Sequence, residues 1–133
     1  MKGVYVLIII VAKNICVKVG ALGLIEFKHG LYAYVGSAQN NLNKRLERHQ
    51  RLEKKEFWHI DYLLTNKQAK IMKIFHTKAP RSEECKLSAQ LSKNGRPIVG
   101  FGSSDCNCTS HLFKIQEYEF LKEHMRETVL GSS

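Results

Sequence analysis

Proline is nearly absent from this chain: only Pro80 and Pro97 occur. That scarcity argues against a proline-rich spacer or recognition tract. No segment has the roughly 20 consecutive apolar residues that a bilayer-crossing helix needs. The N-terminal run Val4 to Ala12 has the apolarity of a signal core, but Lys13 follows it and no small-residue cleavage site is evident. Its β-branched residues read better as a buried strand. The four cysteines, Cys16, Cys85, Cys106 and Cys108, lack the even spacing of a secreted disulfide scaffold. Reduced thiols and a cytoplasmic location are therefore expected. Acidic residues are also scarce, with 12 Asp and Glu against 21 Lys and Arg. The resulting charge of +9 suits a polyanionic partner, nucleic acid foremost.

The 133 residues, 44% hydrophobic and 25% charged, suit one globular domain with a single core. We expect that domain over residues 1–130, with 131–133 as a disordered or appended tail. No repeat or low-complexity tract interrupts it.

Gly3 to Ala12 reads as a central strand covered on both faces. Lys13-Asn14 has hairpin chemistry, and Ile15 to Val19 should return as its partner. Gly20 to Gly30 reads as a loop with one short strand at most. Leu31 to Val35 is the next strand, ended by a turn at Gly36-Ser37. Asn40 or Asn41 can cap a basic helix from Leu42 to Lys54, whose thin apolar stripe is Leu42, Leu46 and Leu52. Phe57 to Leu64 is too apolar for a loop. Ala69 to His76 reads as a strand and Glu83 to Lys93 as a helix with Ser82 as its cap. His111 to Ile115 is a short strand, and Tyr118 to Val129 has helical amphipathicity. The fold class is α+β: a small, mostly antiparallel central sheet flanked by helices.

Two tyrosines stand in strands expected to share the sheet, Tyr5 in Gly3-Val4-Tyr5 and Tyr34 in Tyr34-Val35-Gly36. Strand tyrosines are ordinarily packing residues with a solvent-reaching hydroxyl. Here other groups converge on them. Arg45 and His49 are four residues apart on the next helix and so share a face. A guanidinium can hold phosphate oxygens in pairs, and an imidazole can move a proton near neutrality. Lys44, Arg48 and Arg51 read as a solvated basic face or as sequence-independent phosphate contacts.

The ordered series GVY, YVG, L-x-x-R-L-x-x-H and a later helical glutamate resembles the GIY-YIG nuclease superfamily. Within it the chain is most similar to the uncharacterised DUF123 branch, on Tyr34 to Ala38, Arg45 to His49, Trp58 to Leu64, Glu84-Cys85, Gly100 to Cys106 and His111 to Phe113. The resemblance spans Gly3 to about Phe113. It implies a metal-dependent endonuclease acting on nucleic acid, with DNA favoured over RNA. It assigns catalytic roles to Tyr5, Tyr34, Arg45, His49 and Glu84. One tyrosine would help deprotonate water, Arg45 would steady the phosphate, and His49 would act as base or relay. Glu84 would hold a single magnesium or manganese ion. Glu83 competes for that role, but neighbours on a helix diverge by about 100°, so one of the two should face the site. Ser37 stands where the nucleotide-excision members often have lysine. Ser37, Lys44, Arg48 and Arg51 are the candidate nucleic-acid contacts.

Cys106, Cys108 and His111 could begin a zinc site, with Cys85 and His59 as further ligands. More ordinarily such cysteines are small buried hydrophobes. His59 and Asp61 could form a supporting hydrogen-bonded pair. Two other functional classes follow: a nucleic-acid-binding module of the same fold without cleavage, and a zinc-stabilised interaction domain.

Overall fold

A computed structural model describes residues 2–38, 40–51, 56, 58–103 and 108–128. Strand β1 (Gly3–Val11) is the axis of the molecule. Its β-branched run makes a strand, and its alternating side chains feed two cores. Tyr5, Leu7, Ile9 and Val11 enter one, while Val4, Val6 and Ile8 enter the other. Such a strand needs cover on both faces and partners on both edges, and it has them.

The remaining strands are β2 (Ile15–Lys18), β3 (Leu24–Phe27), β4 (Gly30–Ala38), β5 (Ala69–Thr77), β6 (Arg96–Pro97), β7 (Leu112–Ile115) and β8 (Arg126–Thr128). Six of them form one sheet in the order β6-β7-β4-β1-β5-β8. Every neighbouring pair is antiparallel. The helices are α1 (Leu42–Gln50), α2 (His59–Leu64), α3 (Ser82–Asn94) and α4 (Glu119–His124). Leu42 and Leu46 of α1 and Ile60 and Leu63 of α2 close the Tyr5 face. Leu91 of α3 and Leu121 of α4 close the other. Among the described residues no helix is long and apolar enough to cross a membrane.

The expected hairpin between the first two strands does not form. β4 and β5 occupy both edges of β1, so no edge is left for β2. β2 pairs instead with β3 as a separate two-stranded ribbon, and the Ala12 N–H is satisfied by the Gln68 carbonyl at 2.8 Å. A second correction concerns Gly36-Ser37, which do not turn. β4 runs on to Ala38, with Tyr5 opposite Gly36 and Val4 opposite Ser37. A third lies near the C-terminus. The helix stops at His124, Met125 adopts an extended conformation, and Arg126–Thr128 pairs with the outer edge of β5. Ser82 is the first helical residue of α3 rather than its cap. Asn41 does cap α1, its Oδ1 accepting from the Lys44 N–H at 3.1 Å. Leu52, Val129 and the tail at 131–133 lie outside the described residues.

Candidate active site

The site forms where β4 passes Gly36 and the starts of α1 and α3 meet. Tyr5 and Tyr34 sit on adjacent strands two register positions apart, so they share the face toward α1. Gly36 makes room for this. A Cβ there would stand 2.4 Å from the Tyr5 ring and hydroxyl. The Tyr5 hydroxyl instead lies 2.6 Å from His49 Nε2. His49 is 2% exposed and ringed by Tyr5, Tyr34 and Trp58, with centroids 5.3, 6.2 and 5.8 Å away. It stands behind Tyr5 rather than in the opening.

Burial pushes both phenols above their ordinary range. At Tyr5 the Arg45 guanidinium pulls the other way and is outweighed. At Tyr34, Tyr5 and Glu84 reinforce the rise. Both tyrosines are therefore neutral hydrogen-bonding groups near pH 7, not resident phenolates.

Arg45 is held on two sides. Its Nη1 donates to the Ser37 carbonyl at 3.0 Å, and its guanidinium carbon lies 4.3 Å from the centre of the Trp58 ring. A stacked guanidinium has five N–H donors, so those not engaged by Ser37 or Tyr5 remain for an anion. Glu84 comes in from the first turn of α3. Its Oε2 accepts from the Ser37 hydroxyl at 3.0 Å, and Arg81 Nε stands 3.9 Å from the same oxygen. Glu83 is directed elsewhere, pairing with Lys86 at 3.1 Å. Helix geometry thus separates the two glutamates, and Glu84 is the one at the site.

Tyr5, Tyr34, Ser37, Arg45, Trp58 and Glu84 line a cleft of about 410 Å³. Arg81, Asn40, Asn41, His59 and Gly102 also line it. Gly102 adopts a positive φ of 72°, and its N–H donates to His59 Nδ1 at 2.8 Å. Burial lowers the His59 pKa, in keeping with a neutral ring that accepts at Nδ1.

The basic face of α1 is not uniform. Lys44 and Arg51 are exposed. Arg48 forms a two-pronged pair with Asp61 at 2.9 Å for both contacts. It also lies 4.4 Å from the Trp58 ring centre. Asp61 is fully buried and accepts the Trp58 N–H at 2.8 Å. The pair suggested between His59 and Asp61 is thereby replaced by Arg48–Asp61 and His59–Gly102. Trp58 packs against the Tyr5-face core and also forms the platform beneath two arginines. Arg81 was not singled out by sequence reasoning, because nothing local marks a residue that reaches the cleft only through the fold.

The cysteine cluster also differs from its sequence expectation. Cys85, Cys108 and His111 bring their ligand atoms within 4.8 Å of one another. Cys106 lies outside the described residues, and His59 is engaged elsewhere. His111 Nδ1 stands 3.3 Å from both Glu84 Oε1 and Ser88 Oγ.

The molecule is thus an α+β protein with a polar cleft in which two neutral phenols, an arginine and one carboxylate meet. The sequence of residues 4–132 matches the domain of unknown function DUF123, and the chain belongs to that family. No curated protein and no solved structure matches it.

Proposed function

We propose that the cleft hydrolyses phosphodiester bonds in nucleic acid, as a GIY-YIG-type endonuclease, with DNA as the favoured substrate and the cytoplasm as its compartment. The observation that carries this reading is the meeting of Tyr5, Tyr34, Arg45 and Glu84, from four separate elements, in one cleft. The net charge of +9 favours a polyanionic substrate.

The residues divide the work by their surroundings. Arg45, pinned on Trp58 and Ser37, offers its remaining N–H groups to the phosphate oxygens and stabilises the charge that grows there. With His49 in the tautomer that leaves Nε2 unprotonated, the Tyr5 hydroxyl donates to it and can receive a proton from water. Passing its own proton to His49 in the same step yields hydroxide without a free phenolate, which burial opposes. Tyr34, also neutral, can donate a hydrogen bond to a phosphate oxygen. A hard divalent cation, magnesium or manganese, fits the donor set. Glu84 supplies one carboxylate in a polar cleft with room for the waters such an ion retains. When bound, such an ion supplies Lewis-acid stabilisation of the phosphate.

Plasmid, single-stranded and branched substrates incubated with magnesium or manganese test the proposal. Cleavage is expected, and Arg45→Ala should reduce it by about a hundred- to a thousand-fold, the usual effect of removing a transition-state donor. Glu84→Ala should abolish it. A second reading, a binding module without cleavage, is favoured by Ser37. It places a hydroxyl where some GIY-YIG nucleases carry a cation, and it occupies Glu84 Oε2. Salt-sensitive binding with no cleavage under either metal establishes that reading and overturns the first.

A further inference from the structure

We propose that Cys85, Cys108 and His111 form a binding site for one thiophilic divalent cation of the zinc class. The site is separate from the cleft and does not depend on the cleavage reading. Cys85 comes from the first half of α3, whereas Cys108 and His111 lie in the segment just before β7. The fold thus brings together residues more than twenty positions apart in sequence. Cys85 and Cys108 open onto their own cavity, shared with Ser88 and Ser110, while His111 is buried.

The donor types and their spacing both suit such an ion. Two thiolates and an imidazole are soft to borderline ligands and discriminate against magnesium and calcium. Tetrahedral zinc holds sulfur at about 2.3 Å and nitrogen at about 2.0 Å, which sets ligand atoms about 3.5–4 Å apart. The three donor atoms, all within 4.8 Å of one another, need to close by only about 1 Å to reach that geometry. Binding would release one proton from each thiol as the two thiolates form. Among the described residues these three ligands leave a fourth position for water, the cavity lying open at the two cysteines.

The site is tied to the cleft by one side chain. His111 Nδ1 lies 3.3 Å from Glu84 Oε1, and Glu84 and Cys85 are consecutive on α3. Loading fixes the imidazole and the first turn of α3 together. The ion would therefore act as a staple between that helix and the segment before β7, and would position Glu84.

The test uses reduced, metal-stripped full-length protein titrated with zinc and separately with cobalt. One equivalent of zinc should bind, and cobalt should give a thiolate-to-metal charge-transfer band. Cys85→Ser and Cys108→Ser should each weaken binding by more than about a hundredfold, beyond the ten- to hundredfold effect of losing an outer partner. Alkylation of the unmutated protein, read by mass spectrometry, gives an answer independent of variant folding. Zinc should slow modification of Cys85 and Cys108 and leave exposed Cys16 reactive. Equal alkylation of Cys85 and Cys108 with and without zinc, or full zinc affinity in both serine variants, overturns the proposal. Cleavage activity plays no part in these readouts, so the failure of one proposal is distinguishable from the failure of the other.

Discussion

Gly36 shows how closely a single position is set by the site. Its backbone is ordinary strand, so alanine there is not strained by φ. The difficulty is space, because the new Cβ would meet Tyr5 at 2.4 Å. Tyr5 is 1% exposed and cannot swing aside without leaving His49. Gly36→Ala should cost about 1–3 kcal/mol, the usual penalty of overpacking, and should displace the Tyr5 hydroxyl. Urea denaturation checks the stability. Cleavage at wild-type rate in this variant would show that the Tyr5–His49 contact is dispensable. Arg48 supports a different prediction. Arg48→Ala strands the buried Asp61 carboxylate and should cost about 3 kcal/mol, the lower end for breaking a buried pair because Arg48 is partly exposed. Adding Asp61→Asn removes the stranded charge while keeping an acceptor for the Trp58 N–H. The double variant should therefore be more stable than Arg48→Ala alone in the same urea measurement. At this scale, Arg45 was legible from the helix face it shares with His49, and Glu84 from the family resemblance, helix periodicity adding only that Glu83 and Glu84 cannot both face the site. The bond between Arg48 and Asp61 was not, because they are thirteen residues apart in sequence and only tertiary packing joins them.

At the scale of elements, the strength of the apolar pattern decided what could be read. β1 announced itself through an unbroken β-branched run, and its central place followed from needing cover on both faces. The hairpin expected after it failed because local turn chemistry says nothing about edges already taken by β4 and β5. The end of the last helix was illegible for a similar reason: the unpaired outer edge of β5 recruited Arg126–Thr128 against their helical spacing. The segment around Gly102 is joined to α2 through the N–H it donates to His59 Nδ1, and this contact carries a pH prediction. Burial lowers the folded-state pKa of His59 below its ordinary 6.5, so in the window just below 6.5 the unfolded chain binds more protons. Stability should therefore fall as pH drops through that window and should be insensitive to this group above it. His76, lowered by burial and by Arg126, adds a slope of the same sign. The His59 share is thus the difference between the wild type and His59→Gln, whose amide oxygen can still accept from Gly102. Thermal melts from pH 7.5 to 5 should show a shallower decline in the variant. Parallel curves would remove His59 as a source of the pH dependence.

For the molecule as a whole, the proposed nucleic-acid reading leaves open which cations would meet the polyanion, since net charge alone does not say. The structure sorts them by prior engagement. Lys44 on α1 and Arg51 at its C-cap are exposed, Arg45 faces the cleft, and Arg48 is committed to Asp61. Binding to duplex DNA should weaken linearly in log–log form as salt rises, with a slope of about −0.9 for each phosphate neutralised. Lys44→Ala and Arg51→Ala should each make the slope shallower by about one. Arg48→Ala should leave it nearly unchanged, because the charge it removes already offsets a carboxylate. Fluorescence anisotropy across a salt series in the absence of divalent metal separates these contributions without interference from cleavage. If Arg48→Ala lowers the slope as much as Lys44→Ala does, the Asp61 pair opens on binding and the whole face of α1 is the nucleic-acid surface. If none of the three changes it, the DNA contacts lie elsewhere on the basic molecule, and the link between α1 and the cleft loses its electrostatic support.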